Sequence, residues 1–188
     1  MEKNETKNKR ETAGREMKPP RSYAGEFPAS DSKRPFSDTV NKAPGEVMTL
    51  LKNAGNLPQF LEGLEKVDPG SAGIESWHFK PRHGAERAKP VPFKTKLEGN
   101  SFTFSSEDKL GFDYNLAVTL TSAPGERGTI VRMIATYKTG TGSALSMVES
   151  LFGGDADLHT KKTLQRFKAL CETGHVPTID GQSSGREE

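Results

Sequence analysis

The sequence predicts an α+β fold in which a curved antiparallel sheet of six or seven strands packs against one long C-terminal helix. Two patterns lead to this prediction. Between residues 64 and 137, apolar residues recur at every second position and are separated by short turn signals, which is typical of consecutive antiparallel strands. Between residues 155 and 173, apolar residues recur with the spacing of one helical face. A helix of that length needs a surface to cover, and the concave face of the sheet provides it.

The chain before residue 64 contains a short strand and two helices. Residues 34–40 alternate weakly between polar and apolar, as a first strand would. Pro44, which is tolerated at the first position of a helix, begins an amphipathic segment that ends at Gly55. A second short helix begins at Asn56, and its inward-facing residues are predicted to be Phe60, Leu61 and Leu64.

The alternating region is divided into strands by clusters of turn-forming residues. Its predicted strands are residues 74–80, 91–97, 101–105, 112–120 and 129–137. The first of these places Trp77 on one face and His78 on the other. The last is apolar on both faces, so we expect it to be central and buried on both sides.

The C-terminal helical region consists of two pieces. Residues 144–152 are amphipathic and are followed by Gly153-Gly154, a candidate hinge. Residues 155–173 form the longer piece, which ends at Thr173-Gly174. We expect this piece to anchor on the sheet and residues 144–152 to cover the cavity as a lid. The residues of the longer piece predicted to face inward are Leu158, Leu164, Phe167 and Leu170.

Composition limits the class of protein. Only 32% of the 188 residues are hydrophobic, and 19 are Gly and 12 are Pro. We therefore expect disordered tails at residues 1–33 and 179–188 around one folded domain at residues 34–178. The net charge of +2 does not indicate nucleic-acid binding, and the oligomeric state stays open.

We expect the protein to be cytoplasmic. No apolar run reaches the ~20 residues of a membrane span, so no span is predicted. The single cysteine, Cys171, excludes an internal disulfide and is expected to be a small helix residue rather than a nucleophile.

Recognised catalytic patterns are missing from the sequence. It contains no glycine-rich phosphate loop, no zinc-ligand spacing and no nucleophile elbow, so no catalytic residue, metal or cofactor is predicted. Three histidines, His83, His159 and His175, are expected in solvent. His78 can face either solvent or the interior, where a histidine near Tyr114 would form an acid/base pair.

A cavity between sheet and helix is expected, because a helix rarely fills the concave side of a curved sheet. Arg132 interrupts an apolar strand, and since a buried unpaired arginine is costly it must reach solvent, a carboxylate or an anionic ligand group. The residues predicted to contact a ligand are Trp77, His78, Phe93, Tyr114, Leu116, Arg132, Met147 and Leu151.

Three segments resemble a known family. Residues 56–67 (NLPQFLEGLEKV), residues 128–131 (GTIV) and residues 151–174, which begin with LFG and end with LQRFKALCETG, are similar to NLPxFMxxLExV, GTxV and LFG…DLRRFKxLxETGE. These patterns belong to bacterial proteins labelled polyketide cyclase/dehydrase or coenzyme Q-binding, a branch of the START-like (SRPBCC, Bet v 1-like) superfamily. The resemblance covers residues 35–185 and implies a helix-grip fold, in which the curved sheet grips the terminal helix.

Three kinds of function stay open. The first is non-catalytic binding of a hydrophobic or amphipathic molecule, such as a lipid, an isoprenoid quinone or an aromatic metabolite, in a hydrophobic cavity. The second is an aromatase/cyclase- or dehydratase-like enzyme acting on a polyketide-type substrate, with His78 or Tyr114 as acid or base. The third is a protein-interaction module that uses the tails and the basic outer face of the last helix. We expect ligand binding without catalysis, because no convergent catalytic set is visible.

Overall fold

The computed structural model describes residues 34–80, 89–106, 112–139 and 156–177. Its strands are Phe36–Val40 (β1), Leu64–Asp68 (β2), Ile74–Phe79 (β3), Val91–Glu98 (β4), Ser101–Ser106 (β5), Phe112–Ser122 (β6) and Thr129–Thr139 (β7). Its helices are Pro44–Lys52 (α1), Leu57–Phe60 (α2) and Ala156–Thr173 (α3), with short 3₁₀ turns at Ala54–Asn56 and Pro124–Glu126.

The seven strands form one curved, open antiparallel sheet in the order β1-β7-β6-β5-β4-β3-β2. Strands β2 to β7 follow one another as a meander, and β1 pairs with β7. The α+β class and the arrangement of sheet, two short helices and terminal helix are confirmed. The sequence left open whether the sheet has six or seven strands. The additional strand is β2, which is too short for alternation to identify it in the sequence.

Two short helices connect β1 to β2. Pro44 begins α1 as predicted, and Glu46 caps it by accepting a hydrogen bond of 3.1 Å from the backbone N–H of Ala43. Leu57 and Phe60 of α2 are buried. This α1–α2 corner brings α2 against α3, where the rings of Phe60 and Phe167 meet edge to face at 4.9 Å.

The prediction that β7 is buried on both faces is wrong. Val131, Met133 and Ala135 are buried, but on the other face Arg132 is exposed and its neighbours Ile130 and Ile134 are only partly covered. None of the described helices covers the convex face of the sheet at this strand, so β-branched residues there pack against cross-strand neighbours instead of a core.

Helix α3 lies across β1, β7 and α2. Leu164, Phe167 and Leu170 face inward as predicted, but Leu158 is 50% exposed. The exposed residues Lys161, Lys162 and Gln165 lie three, four and seven positions after Leu158. Residues at this spacing share one face of a helix, so Leu158 belongs to the outer face of α3.

Polar contacts fix the position of α3 against the sheet. Lys168 donates to Asp38 at 2.9 Å, Arg166 donates to the carbonyl of Gln59 at 3.1 Å, and Glu172 accepts from the backbone N–H of Asn41 at 3.0 Å. The predicted helix at 144–152, the Gly153-Gly154 hinge and both tails lie outside the described residues.

Candidate functional site

The concave face of the sheet carries a cluster of aromatic side chains. Alternation along β3, β4 and β6 directs Trp77, Phe79, Phe93 and Tyr114 to this face, and all four are buried. The rings of Trp77 and Phe93 are stacked with centroids 4.0 Å apart, and Phe93 meets Tyr114 edge to face at 6.0 Å. These contacts make a rigid apolar floor under the terminal helix.

A small pocket opens beside this cluster. It lies between the α2–β2 connection, the ends of β3 and β6, and the first turn of α3. Its lining residues are Leu61, Glu62, Leu64, Trp77, Phe79, Tyr114 and His159. The space it leaves for a water-sized molecule is about 10 Å³, which is close to what a single water needs.

His159 is the residue of this pocket that sequence reasoning missed. It was expected in solvent, but only 5% of it is exposed. Burial lowers the pKa of His159 to about 4, although the negative charge of Glu62 opposes the shift. The imidazole is therefore neutral at pH 7. The sequence did contain a signal for this burial: His159 lies eight residues before Phe167, and at 3.6 residues per turn this spacing places both near the same face of the helix.

Tyr114 is the second polar side chain of the pocket. It is 4% exposed, and burial raises the pKa of its phenol above the ordinary value of 10.0. Its backbone N–H donates to the hydroxyl of Ser106 at 2.8 Å, which fixes the position of β6 here. The pocket thus combines a neutral imidazole, a neutral phenol and the carboxylate of Glu62 with the apolar side chains of Leu61, Leu64, Trp77 and Phe79.

The inner face of α3 changes in polarity along its length. Its first two turns bury His159, Thr160 and Thr163, and later turns bury Leu164, Phe167, Leu170 and Cys171. The polar part is the part nearest the pocket. Burial raises the pKa of the Cys171 thiol to about 12, so Cys171 is a buried helix residue without thiolate character.

His78 lies on the opposite face of the sheet from this pocket. As predicted, it alternates with Trp77, and its Nε2 lies 2.8 Å from Asp68 on the neighbouring strand. The hydrogen bond from Lys66, with a smaller one from His78, holds the pKa of Asp68 below its ordinary value. His78 is therefore part of a convex-face ion-pair cluster and does not meet Tyr114.

Arg132 also projects from the convex face. Its cross-strand neighbours are Ser37 and Thr119, and its side chain is exposed. Of the alternatives left open for this arginine, the structure shows the one in which it reaches solvent. It does not contribute to the concave face.

The remaining predicted ligand-contact residues divide into two groups. Trp77, Phe93, Tyr114 and Leu116 lie on the concave face, and of these Trp77 and Tyr114 line the pocket. Met147 and Leu151 lie outside the described residues. The contacts of all these side chains with a ligand stay a prediction.

A wider hollow lies at the other end of the sheet, between the β1–α1 connection and the β6–β7 turn. Its volume is about 480 Å³, but it is open, and its polar groups are used in local structure. Glu46 caps α1, the carbonyl of Lys42 accepts from Thr129 at 2.7 Å, and Gly128 packs against the β1 backbone. We therefore place the candidate site at the Tyr114–His159 pocket.

The described residues contain neither a metal-ligand cluster nor a membrane-spanning helix. Across residues 34–80, 89–106, 112–139 and 156–177, no three His, Cys, Asp or Glu side chains are grouped to hold a metal ion. No helix in those ranges is both long and apolar enough to cross a lipid bilayer.

Comparison with solved structures identifies the fold. A structural-genomics protein of Deinococcus radiodurans superposes with a TM-score of 0.53 at 19% identity, covering 74% of this chain and 96% of that chain. A conserved protein of Geobacillus kaustophilus gives 0.54 at 13% identity, covering 73% and 93%. The di-domain ARO/CYC protein BexL gives 0.51 at 12% identity, covering 76% of this chain and 51% of BexL.

These likenesses, together with the antiparallel sheet and terminal helix, show a helix-grip fold. At such low identities they show the fold alone. No family model matches the sequence, and no curated protein matches it.

Proposed function

We propose that this protein binds a small hydrophobic or amphipathic molecule, such as a lipid, an isoprenoid quinone or an aromatic metabolite, between the concave face and α3. The observation that carries the proposal is the burial of Tyr114 and His159 together at one pocket, whose other lining residues apart from Glu62 are apolar.

The chemistry of the pocket suits a ligand with one neutral polar group. Leu61, Leu64 and Phe79 supply apolar area, whose burial by a ligand is worth about 25 cal/mol per Å². The neutral imidazole of His159 and the phenol of Tyr114 supply a hydrogen-bond donor and acceptor for orientation. Neither carries a charge at pH 7, so a hydroxyl, carbonyl or quinone oxygen of the ligand is complementary to these two side chains, and Glu62 adds a carboxylate to the lining.

The pocket is filled almost completely by its own side chains. A space of about 10 Å³ holds one water, so a larger ligand enters only when lining side chains such as Leu61 and Phe79 change rotamer. Ligand binding then stabilises the folded state by an amount that depends on ligand concentration. A panel of lipids, quinones and aromatic metabolites can therefore be ranked by thermal shift.

Native mass spectrometry and solvent extraction of the purified full chain test the proposal. We expect a bound organic molecule, and we expect Tyr114→Phe, which removes one hydroxyl, to weaken rebinding about tenfold, equivalent to 1.4 kcal/mol. His175→Ala, which removes an exposed histidine, is the control and should rebind like wild type. If the protein carries no molecule and no compound of the panel raises its melting temperature, the proposal is wrong.

A second candidate function is supported by the same pair of residues. Tyr114 and His159 line one pocket, where a neutral imidazole can accept a proton and a phenol can donate one. Burial weakens His159 as a base and Tyr114 as an acid, so a bound substrate would have to reverse these pKa shifts for the pair to act. His159 replaces His78 in this role. Turnover of a linear polyketide-type substrate should fall at least about a hundredfold in Tyr114→Phe and in His159→Gln. Equal turnover by wild type and both variants would exclude the pair as acid and base.

A further inference from the structure

Among the described strand residues, two carboxylates face the concave side of the sheet, and Glu62 of the α2–β2 connection also lines the pocket. Asp38 of β1 lies on the same face as Val40, and its charge is balanced by Lys168 at 2.9 Å. Glu75 of β3 lies on the same face as Trp77 and is half-buried. The two carboxylates differ in their partners: Asp38 is paired with a lysine, whereas Glu75 is not.

Glu75 is held by neutral donors only. Its Oε2 accepts a hydrogen bond of 3.2 Å from the indole Nε1 of Trp77 and another of 3.1 Å from the hydroxyl of Thr95. In the part of the chain that the structure describes, Glu75 forms no ion pair, and its Oε1 accepts no hydrogen bond. The carboxylate is thus fixed in orientation, while no cation among the described residues balances its charge.

The surroundings of Glu75 suit a cation attached to an apolar body. Trp77, the donor to Glu75, also lines the Tyr114–His159 pocket and is stacked on Phe93. Along β4, Leu97 follows Thr95 on this face and is 41% exposed, which leaves apolar surface beside the carboxylate.

We propose that Glu75 is a recognition site for a cationic group, so that the protein prefers a hydrophobic molecule carrying an ammonium or guanidinium group over a neutral or acidic one. This rests on the proposed function, because it assigns the charged end of a ligand whose apolar part lies on the concave face. Hydrogen bonds between a carboxylate and a cation are about twice as strong as neutral ones. A ligand carboxylate would instead be repelled by Glu75.

The test compares three probes of equal chain length, used below their micelle concentrations: dodecylamine, which is protonated at pH 7, dodecanol and dodecanoate. Trp77 is the single tryptophan of the chain, so its fluorescence reports binding next to Glu75. Glu75→Gln keeps an oxygen that accepts from Trp77 and Thr95 but removes the charge. Glu98→Gln removes the same charge from an exposed position on β4 and is the matched control.

We expect wild type and Glu98→Gln to bind dodecylamine about tenfold more tightly than dodecanol, a difference of 1.4 kcal/mol, and dodecanoate most weakly. Glu75→Gln should bind dodecylamine and dodecanol equally. If wild type binds dodecanol as tightly as dodecylamine, or if Glu75→Gln keeps the preference, this inference fails while the proposed function stands. If none of the three binds wild type, hydrophobic-ligand binding at this face fails with it.

Discussion

Lys168 and Asp38 join the two ends of the domain through a hydrogen bond of 2.9 Å across 130 positions of sequence. Asp38 belongs to the first strand and Lys168 to the terminal helix, so this pair holds α3 over β1. Both side chains are partly exposed, at 39% and 33%.

The Lys168–Asp38 pair should contribute modestly to stability, and its contribution should disappear at alkaline pH. Lys168→Met, which keeps an apolar stem, should lower the free energy of unfolding by about 0.5–1 kcal/mol at pH 7. The hydrogen bond to Asp38 raises the pKa of Lys168 above its ordinary 10.5. The stabilisation is therefore complete below pH 10.5 and is lost as the pH rises through the raised value. Urea unfolding at pH 7 and pH 11 measures it; Lys161→Met, exposed on the same helix, should show neither effect.

The buried His159 should make the protein sensitive to acid. Its pKa is about 4 in the folded state against 6.5 when exposed, so protonation favours unfolding. Stability is complete above pH 6.5 and falls as the pH decreases toward 4, by up to about 3 kcal/mol from this group. His159→Leu should lose less stability than wild type between pH 7 and pH 4.5 in urea unfolding. A His159→Leu variant as acid-sensitive as wild type would contradict the assigned burial, and His175→Ala should behave as wild type.

The contact between Phe60 and Phe167 should be a major source of the stability of α3. Both rings are fully buried, so Phe167→Ala should lower the free energy of unfolding by about 3–5 kcal/mol. Leu158→Ala, an apolar truncation on the exposed side of the same helix, should change it by less than about 0.5 kcal/mol. Equal losses from the two changes in urea unfolding would show that the inward face of α3 is assigned incorrectly.

Gly128 should not tolerate a side chain. Its φ is +99°, and a Cβ there would overlap the carbonyl oxygen of Val40. Gly128→Ala should therefore cost about 3 kcal/mol of stability, at the upper end of backbone strain. Gly99 also has positive φ, +56°, but faces open space, so Gly99→Ala should cost only about 1–2 kcal/mol. Thermal unfolding of both variants measures the difference, and a Gly128→Ala protein no less stable than Gly99→Ala would refute the close approach of β1.

Much of the fold was predictable because its elements are long and regular. Alternation located β3 to β7 to within a few residues, and the helical spacing of Leu164, Phe167 and Leu170 located α3. Strand β2 was harder, since its five residues are interrupted by a bulge between Leu64 and Lys66. The exposure of Arg132 was not predictable from an apolar strand, because the composition of β7 does not say whether a second layer covers the sheet.

The candidate site was predicted only in part. Trp77 and Tyr114 were expected at a ligand site and do line the pocket, but the histidine beside them is His159 and not His78. His78 is adjacent to Trp77 in sequence, and alternation sends adjacent strand residues to opposite faces. His159 lies 45 positions after Tyr114, and nothing local connects the two.

The sequence by itself determined the order of elements, the antiparallel meander and the resemblance to helix-grip proteins, because these depend on periodicity and local motifs. Only the tertiary structure decided which polar groups share the interior. The rotation of α3 about its axis turned Leu158 outward and His159 inward, and the approach of α2 and β2 enclosed His159 with Tyr114. Such pairings depend on how separate elements pack, and packing is decided by the fit of all side chains together rather than by any one segment.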